Sequence, residues 1–358
     1  MTRQLTLGWE TGDIAEMGTT TIGTNNSLTV VNTTPTPRAG SYCLKSTITS
    51  SATWGPTFLT VSWAAAKAEV WVRFAFFLHT SGSANLAIAE LRDPTPASQT
   101  ALAIGQSDGL LRLYRGGVTT GTLLGTASTA MGLDSWHVIE WRTLISTTTT
   151  GTSEVWLDGN QVITLSGDNS NTATLTVQSL LLGCASAGGA VGSTGAYMAF
   201  DDLAVNDTTA STPNNARPGD GRIILLKPNG AGSSTQLARG GTDTGANYSQ
   251  VNEIPPSMAQ YVGSPTVAQR DLYALDNLPV AAQSINVVEV IALAQNSDAG
   301  GGSVGLTVKS GATTNEAAAI GLSTSSAYVR SRWETDPNTG AAWTGTAIDA
   351  LEAGVTVR

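Results

Sequence analysis

The sequence contains few charged residues. Asp, Glu, Lys and Arg make up only 13% of its 358 residues, about half the ~25% that is usual for a globular protein. Acidic residues outnumber basic ones by 27 to 18, the net charge at pH 7 is −9, and Lys and Arg form no cluster. Because nucleic acids and anionic membranes bind basic surfaces, we expect neither as a partner.

Cysteine and histidine are scarcer still, with two of each in the whole chain. Cys43, Cys184, His79 and His137 lack the short spacings that place ligands around zinc. Each cysteine lies in a strand-like run, so we expect two small buried thiols. A disulfide is expected only if the fold brings their strands together. We predict no metal site and no cofactor.

Long apolar runs and long helical patterns are also missing. No run approaches the ~20 residues that a membrane-spanning helix needs. The first residues, MTRQLTLGWETGD, have neither the apolar segment nor the cleavage site of a secretory leader, so we expect no signal peptide. The best helical candidate is the segment Thr346–Gly354, about two turns that end at a glycine.

Short runs rich in Val, Ile, Leu, Trp and Thr are abundant, and Gly, Asn and Asp separate them. This pattern of short apolar runs separated by turn-forming residues is typical of a β-sandwich or barrel. AEVWVRFAFFLHT, residues 68–80, is apolar on both faces and predicts a central strand covered on both sides. SEVWLDGNQVITLSG, residues 153–167, predicts a hairpin whose DGN turn needs positive φ. After residue 221 we predict strands in RIILLKP, SINVVEVIALAQ, SVGLTVKSG and SAYVRSRWETDP.

The composition changes near residue 207. DTTASTPNNARPGDG, residues 207–221, consists of turn-forming residues and predicts a linker or inter-domain loop. Seven of the nine Trp and all five Phe precede it. We therefore predict an all-β protein with an N-terminal domain at 1–207, a linker at 208–221 and a smaller C-terminal β-sandwich at 222–358.

Several segments of the N-terminal domain occur in a characteristic order. They are LGWETGD, RAGSYCLKS, WHVIEWR, SEVWLDGNQVI, LLLG and YMAFDDLAVND. In this order they resemble the concanavalin A-like lectin/glucanase superfamily in its laminin-G-like form. That superfamily has a W-x-x-x-E-x-R-like strand, a V-x-L-D-G hairpin and a last strand ending in D-D-x-x-V. The resemblance spans residues 5–207 and implies a jelly-roll sandwich.

The C-terminal domain contains NYSQVNEIPPSMAQYV, DLYALDNLP and a final WETDPNTGAAWTGTAIDALEAGV. These segments, within residues 220–358, resemble the C-terminal part of structural proteins from tailed bacteriophages. The resemblance implies a non-enzymatic virion component, tail-associated or on the capsid surface. Its partners would be other virion proteins and copies of itself in a symmetric homo-oligomer. The implied location is the virion, assembled in the host cytoplasm.

Catalytic carboxylates are the first test of an enzymatic alternative. Glycoside hydrolysis needs two of them, about 5–5.5 Å or 6.5–9.5 Å apart. Glucanases of the superfamily carry an E-x-D-x-E or E-x-D-x-x-E strand, which is absent here. Glu69, Glu140 and Glu154 are each lone acids among apolar residues, and Glu140 shares a strand face with Arg142, which predicts an ion pair. We predict no catalytic residue and no enzyme activity; a polysaccharide hydrolase is the weaker alternative.

The histidines predict no Ser-His-Asp triad, and we expect His137 to pack beside Trp136 and Trp141. The sequence has no G-x-S-x-G motif and no glycine loop that binds phosphate before a helix. Gly-rich DAGGGSVG, Asp298–Gly305, predicts a hairpin or flexible loop.

Asp201 and Asp202 are adjacent in the run YMAFDDLAVND. Neighbouring strand residues point to opposite faces, so the two carboxylates share a face only if a bulge intervenes. We expect one Asp to cap backbone groups and the other to face solvent. Calcium bound at either remains an alternative, because some laminin-G-like domains bind it at a rim, although calcium needs six to eight oxygens.

Exposed tryptophans would indicate sugar binding. The candidates are Trp9, Trp54, Trp63 and Trp156, whereas Trp71 and Trp141 lie in long apolar strands and are expected in the core. A carbohydrate-binding adhesin that recognises host-surface glycans is therefore the second functional hypothesis, and it is compatible with a place on a phage tail.

Overall fold

The computed structural model describes residues 3–50, 54–79, 82–185, 193–209, 213–242, 244–282 and 284–358. The chain divides into two compact units, unit 1 with Met1–Glu10 and Ile14–Ile223 and unit 2 with Thr11–Asp13 and Ile224–Arg358. Strands dominate both units, which confirms the predicted all-β fold. Within the described ranges, no helix has the length and apolarity needed to cross a bilayer.

Unit 1 is a sandwich of two antiparallel sheets. One sheet has the strand order β13-β12-β11-β6-β15-β4-β3, with β1 pairing β15 as well, and the other has the order β10-β9-β8-β7-β14-β5-β2. A short 3₁₀ helix spans Ile14–Glu16. The strands are β1 Arg3–Leu7, β2 Thr19–Thr21, β3 Asn26–Val31, β4 Cys43–Ile48, β5 Thr57–Lys67, β6 Glu69–His79, β7 Asn85–Arg92, β8 Ser98–Gly105, β9 Leu110–Arg115, β10 Thr122–Ala130, β11 Trp136–Leu144, β12 Thr152–Leu157, β13 Asn160–Ser166, β14 Val177–Cys184 and β15 Tyr197–Asp207.

Alternation of side chains builds the core between the two sheets. In β6, Val72, Phe74 and Phe76 face inward and are completely buried, and Leu102 and Leu182 approach from the other sheet. β6 lies between β11 and β15, so the predicted central strand is confirmed. Burial of each such side chain contributes roughly 1.5–3 kcal/mol.

Turn chemistry defines the hairpin of β12 and β13. Asp158 has φ +50° and Gly159 has φ +82°, which confirms the predicted positive φ in the DGN turn. Two successive residues in the left-handed region match the right-handed twist of the strands that the turn joins.

Unit 2 is a smaller β-sandwich. Its larger sheet has the order β16-β19-β25-β21-β22, with β23 also pairing β21, and two pairs, β17-β18 and β20-β24, complete it. Val304, Leu306, Val308, Trp333 and Trp343 are buried in its core. A 3₁₀ helix spans Asn247–Gln250 and α1 spans Gly345–Asp349. The strands are β16 Pro228–Thr235, β17 Ala238–Gly241, β18 Gln260–Gly263, β19 Arg270–Leu275, β20 Val288–Ala294, β21 Gly302–Ser310, β22 Thr313–Glu316, β23 Ile320–Leu322, β24 Ala327–Trp333 and β25 Glu352–Val357.

Three local predictions have different outcomes. Helix α1 is confirmed at Gly345–Asp349 but is one turn shorter than predicted, because Glu352–Val357 pairs as strand β25. RIILLKP forms no strand, and pairing starts only at Pro228. Cys43 and Cys184 are buried thiols that form no disulfide in the described part of the chain, as predicted.

Candidate functional site

The face of the eight-stranded sheet that points away from the core carries a group of titratable and aromatic side chains of unit 1. Val70, Val72, Phe74, Phe76 and Leu78 of β6 belong to the core. The residues between them therefore point outward, because successive strand residues alternate. The outward set of β6 is Glu69, Trp71, Arg73, Ala75, Phe77 and His79.

Five outward side chains form a group that we call the Tyr197 cluster. Lys45 Nζ lies 4.0 Å from the centroid of the Tyr197 ring. The His79 ring stacks on Tyr197 with centroids 4.8 Å apart, and Phe77 lies parallel to it at 5.8 Å. Trp136 packs edge-on against Phe77 at 5.5 Å. The amine of Lys45 and the imidazole of His79 therefore both contact the phenol ring of Tyr197.

Strand register brings these side chains together. Tyr197 of β15 pairs with His79 of β6 on one side and with Thr47 of β4 on the other. Lys45 is two residues from Thr47, so it is a diagonal neighbour of Tyr197 on the same face. Trp136 pairs directly with Phe77. The cluster thus spans four adjacent strands.

Burial shifts the pKa values of the two central groups in opposite directions. Burial lowers the pKa of Lys45, which favours the neutral amine. The pKa of Tyr197 is raised, first by burial and then by the negative charge of Asp134, which favours the protonated phenol. His79 Nδ1 lies 2.5 Å from Asp134 Oδ1, and both side chains are largely exposed. The cluster thus pairs a potential base with a potential acid.

Sequence reasoning missed Lys45 and Tyr197. The available signal was a lone lysine in the apolar run SYCLKS and a tyrosine at the start of the last strand of unit 1. Neither becomes notable until β4 and β15 are known to pair.

Asp201 and Asp202 lie at the point where β15 changes neighbours. β15 pairs with β4 through Phe200 and with β1 from Leu203 onward. The register with β6 shifts between Asp201 and Ala204, and Asp202 has φ +54°. This irregularity is the bulge that lets both carboxylates approach one residue, Arg38.

Both aspartates are fully buried, so the prediction that one faces solvent was wrong. Asp201 Oδ2 accepts hydrogen bonds from the backbone N–H groups of Arg38 and Ala39. Asp202 Oδ2 accepts from Arg38 Nη1 at 2.6 Å, and its Oδ1 accepts from the N–H of Ile223 at 2.7 Å. The predicted backbone-capping role is confirmed and applies to both. In the described ranges, no group of three or more His, Cys, Asp or Glu is arranged to hold a metal.

Burial dominates the electrostatics of this region. It raises the pKa of Asp201 to about 8, and the charge of Asp202 acts in the same direction. Burial also raises the pKa of Glu10 to about 7. Glu10 Oε2 accepts the Ser41 N–H, whereas its buried Oε1 has no hydrogen-bond partner. A protonated Glu10 fits this environment.

A segment that we call the strap, residues 213–223, crosses the centre of the outward face. The Gly219 N–H donates to Glu140 Oε1 at 2.7 Å, and Arg73 Nη1 donates to the Gly221 carbonyl. Arg73 and Glu140 are buried as a result, with exposures of 3% and 2%. The strap includes most of the predicted linker, and it separates the Tyr197 cluster from the outward side chains at the other end of the sheet.

The three candidate glutamates have structural partners. Arg142 bonds Glu69 at 2.6 Å and Glu154 at 2.9 Å. Glu140 instead lies 3.5 Å from Arg217 of the strap. The predicted Glu140–Arg142 ion pair was wrong, because residues on one strand face are farther apart than cross-strand neighbours.

Most of the predictions of which tryptophans are exposed and which are in the core were wrong. Trp9, Trp54 and Trp63 are buried in the core, so they were wrongly predicted as exposed sugar platforms. Trp141 is buried as predicted.

Trp71, predicted in the core, lies on the outward face with Trp156, 5.3 Å away. Arg142 and Arg217 lie over the two rings at 5.5 Å and 5.3 Å. These cations occupy ring faces that a sugar would need. The contact between Arg217 and Trp156 instead packs the strap against the sheet.

His137 does not have the predicted surroundings. Its Nε2 lies 2.9 Å from Ser135 Oγ and its Nδ1 lies 2.7 Å from Asp158 Oδ2. Hydrogen bonds therefore join His137 to a serine and an aspartate, a set of contacts that the sequence did not predict.

Comparison with known proteins finds neighbours only among solved structures. No protein-family model and no curated protein matches the chain. An endo-β-1,4-glucuronan lyase from the fungus Trichoderma reesei is 17% identical, with a TM-score of 0.47, over 57% of this chain and 95% of its own. Cellulose induced protein Cip1 is 15% identical, with a TM-score of 0.45, over 61% and 100%. Alginate lyase vAL-1 from Chlorella virus is 13% identical, with a TM-score of 0.38, over 52% and 91%.

These neighbours correct two sequence-based predictions. The neighbours include polysaccharide lyases and a carbohydrate-binding module, and they show no link to a phage. The assignment as a non-enzymatic component of a tailed-phage particle was therefore wrong, and so was the prediction that the chain is not an enzyme. The likeness concerns the fold, a jelly-roll β-sandwich. Self-association stays a prediction, and so does a location in a virion.

Proposed function

We propose that unit 1 binds a polysaccharide containing uronate residues at the Tyr197 cluster and cleaves it by β-elimination. The observation that carries the proposal is Lys45 Nζ, 4.0 Å from the Tyr197 ring centroid. Burial lowers the pKa of Lys45 and raises the pKa of Tyr197, so each shift favours the neutral form of its group. A potential base and a potential acid that lie together with perturbed pKa values are typical of an acid–base site.

The composition of the cluster favours elimination over hydrolysis. A glycosidase needs two carboxylates that flank the scissile bond. Among the described residues, the contacts of this cluster include one carboxylate, Asp134, which His79 holds. Elimination needs instead a base for the proton at C5, an acid for the leaving oxygen and a cation near the uronate carboxylate.

The chain's own groups supply each of these roles. Neutral Lys45 takes the C5 proton, and the C–H electron pair becomes the C4–C5 double bond. The C4–O4 bond breaks, and Tyr197 gives its hydroxyl proton to O4. Solvent then returns a proton to the Tyr197 phenolate and removes one from the Lys45 ammonium.

His79 and Trp136 are suited to binding the substrate. The half-exposed Trp136 ring is held in place because its Nε1–H donates to the Thr36 carbonyl at 2.8 Å, and a fixed aromatic face stacks on a sugar ring. His79 is oriented by Asp134, which accepts from Nδ1. In its protonated form His79 donates from Nε2 to the uronate carboxylate and supplies the cation. This interaction favours a charged sugar over a neutral one.

The proposal is tested with the full-length protein on matched polymers. Glucuronan and alginate, the polymers named for the neighbouring lyases, are compared with a neutral glucan. The expected product is an unsaturated uronate at the new non-reducing end, detected by ultraviolet absorbance and by mass spectrometry. Absence of this product from every uronate polymer tested, with correctly folded protein, contradicts the proposal.

The rate of cleavage is expected to follow a bell-shaped pH profile. The lowered pKa of Lys45 means that the neutral amine forms at a lower pH than for an ordinary lysine, so the rate rises as pH increases through that pKa. The raised pKa of Tyr197 keeps the phenol protonated to a higher pH than usual, so the rate falls only beyond it. kcat/KM is measured against pH, with circular dichroism as the folding control. A rate that decreases steadily from about pH 6 to pH 9 contradicts Lys45 as a base that must first lose its proton.

A further inference from the structure

Ser135, His137 and Asp158 form a continuous hydrogen-bonded chain outside the Tyr197 cluster. Ser135 Oγ lies 2.9 Å from His137 Nε2, and His137 Nδ1 lies 2.7 Å from Asp158 Oδ2. Each contact uses the ring nitrogen that serine hydrolases use for the same partner. Such triads are recognised by geometry and roles, since they recur on unrelated folds with different chain orders.

Local structure explains how three residues with no sequence motif meet. Ser135 directly precedes β11 and His137 is its second residue. Their two-residue spacing is that of side chains on one side of an extended chain. Asp158 lies in the turn of the β12–β13 hairpin, with φ +50°. Its Oδ1 accepts the Val138 N–H at 2.8 Å, which leaves Oδ2 directed at the imidazole.

This arrangement sets the tautomer of His137. Asp158 Oδ2 accepts the proton on Nδ1, which leaves the lone pair of Nε2 directed at Ser135 Oγ. A neutral imidazole held in this way is a general base for the serine hydroxyl.

The serine is open to a ligand. Ser135 is exposed, and Gly132 lies beside the reactive atoms. A Cβ at Gly132 would lie 3.4 Å from Ser135 Oγ and 3.5 Å from His137 Nε2. The glycine therefore leaves this space free for a reacting carbonyl group.

We propose that Ser135, His137 and Asp158 form a second catalytic site, which hydrolyses small acyl esters such as acetyl groups. Ser135 Oγ attacks the ester carbonyl while His137 Nε2 takes its proton. The tetrahedral intermediate collapses, the alcohol leaves with the proton from His137, and an acyl-serine remains. Water, deprotonated by His137, then releases the carboxylic acid and restores the serine. An exposed serine on the rim of the sandwich suits a small acyl group on a larger carrier.

Two measurements on the full-length protein test this proposal. The first is hydrolysis of p-nitrophenyl acetate by the wild type and by Ser135→Ala, Asp158→Asn and the control Ser146→Ala. Ser146 is another hydroxyl of unit 1, bonded to Thr148 and Thr150. We expect a loss of about 10³-fold or more for Ser135→Ala, a large loss for Asp158→Asn and no change for the control.

The second measurement is covalent labelling of the wild type with a fluorophosphonate probe, located by peptide mass spectrometry. We expect the label on Ser135, and this result does not depend on whether any variant folds. Hydrolysis that Ser135→Ala leaves unchanged overturns the proposal, because it identifies background catalysis by exposed imidazole. Label absent from Ser135, or located on another residue, overturns it as well.

Discussion

Replacing Tyr197 with Phe is expected to lower kcat for cleavage of a uronate polymer by about 10²–10⁴-fold, the usual contribution of a general acid. The substitution keeps the ring that stacks on His79 and lies under Lys45 and removes only the hydroxyl that protonates the leaving oxygen. Because substrate contacts through Trp136 and His79 persist, KM is expected to change little. Initial rates are followed by the absorbance of the unsaturated product.

Matched variants separate catalysis from general damage. Lys45→Met is expected to lower kcat by a similar factor, because the base is lost. Lys227→Met and Tyr261→Phe replace exposed residues of unit 2 and are expected to have no effect. A Tyr197→Phe variant with full activity would refute the assigned acid, even if the protein proves to be a lyase.

Replacing Asp202 with Ala is expected to destabilise unit 1 by about 3–5 kcal/mol. Asp202 and Arg38 form a buried ion pair, with side-chain exposures of 0% and 7%, so removing one partner leaves a buried charge with less compensation. The Ile223 N–H also loses its acceptor. Alanine is moreover disfavoured at the φ of +54° that Asp202 adopts. Tryptophan fluorescence during urea unfolding reports the change, since seven of the nine Trp lie in unit 1.

A second carboxylate on the same arginine provides the control. Asp220 also bonds Arg38, but its side chain is 67% exposed, so Asp220→Asn is expected to cost at most about 1 kcal/mol. Asp202→Asn retains a residue that tolerates positive φ and isolates the loss of charge. Equal effects of Asp202→Ala and Asp220→Asn would show that burial of the Arg38–Asp202 pair is unimportant for stability.

The sequence predicted the fold better than the site. Alternation and apolar runs identified β6 as a central strand, and the DGN turn identified the β12–β13 hairpin, because these signals depend on neighbouring residues. Burial of individual tryptophans was not predictable in the same way. Trp9 and Trp71 were assigned to the wrong environments, because a strand's pattern does not show which of its faces another sheet covers.

The groups that we propose as catalytic were missed for a related reason. Lys45 and Tyr197 come from distant parts of the chain and meet only because β15 pairs with both β4 and β6. Ser135 and His137 are close in sequence. Their proposed role nevertheless requires Asp158, which a hairpin turn places beside His137. A lone polar residue in an apolar strand has no role until its cross-strand neighbours are known.

By itself the sequence determined an all-β chain and the turn of the β12–β13 hairpin, since side-chain alternation and turn chemistry act over a few residues. Only the tertiary structure decided the orientation and the partners of the Asp201 and Asp202 carboxylates. Strict alternation would place them on opposite faces, but β15 exchanges β4 for β1 at this point, and the resulting bulge directs both carboxylates to Arg38. Strand pairing is a long-range property, and it overrides the local pattern wherever a strand changes partners.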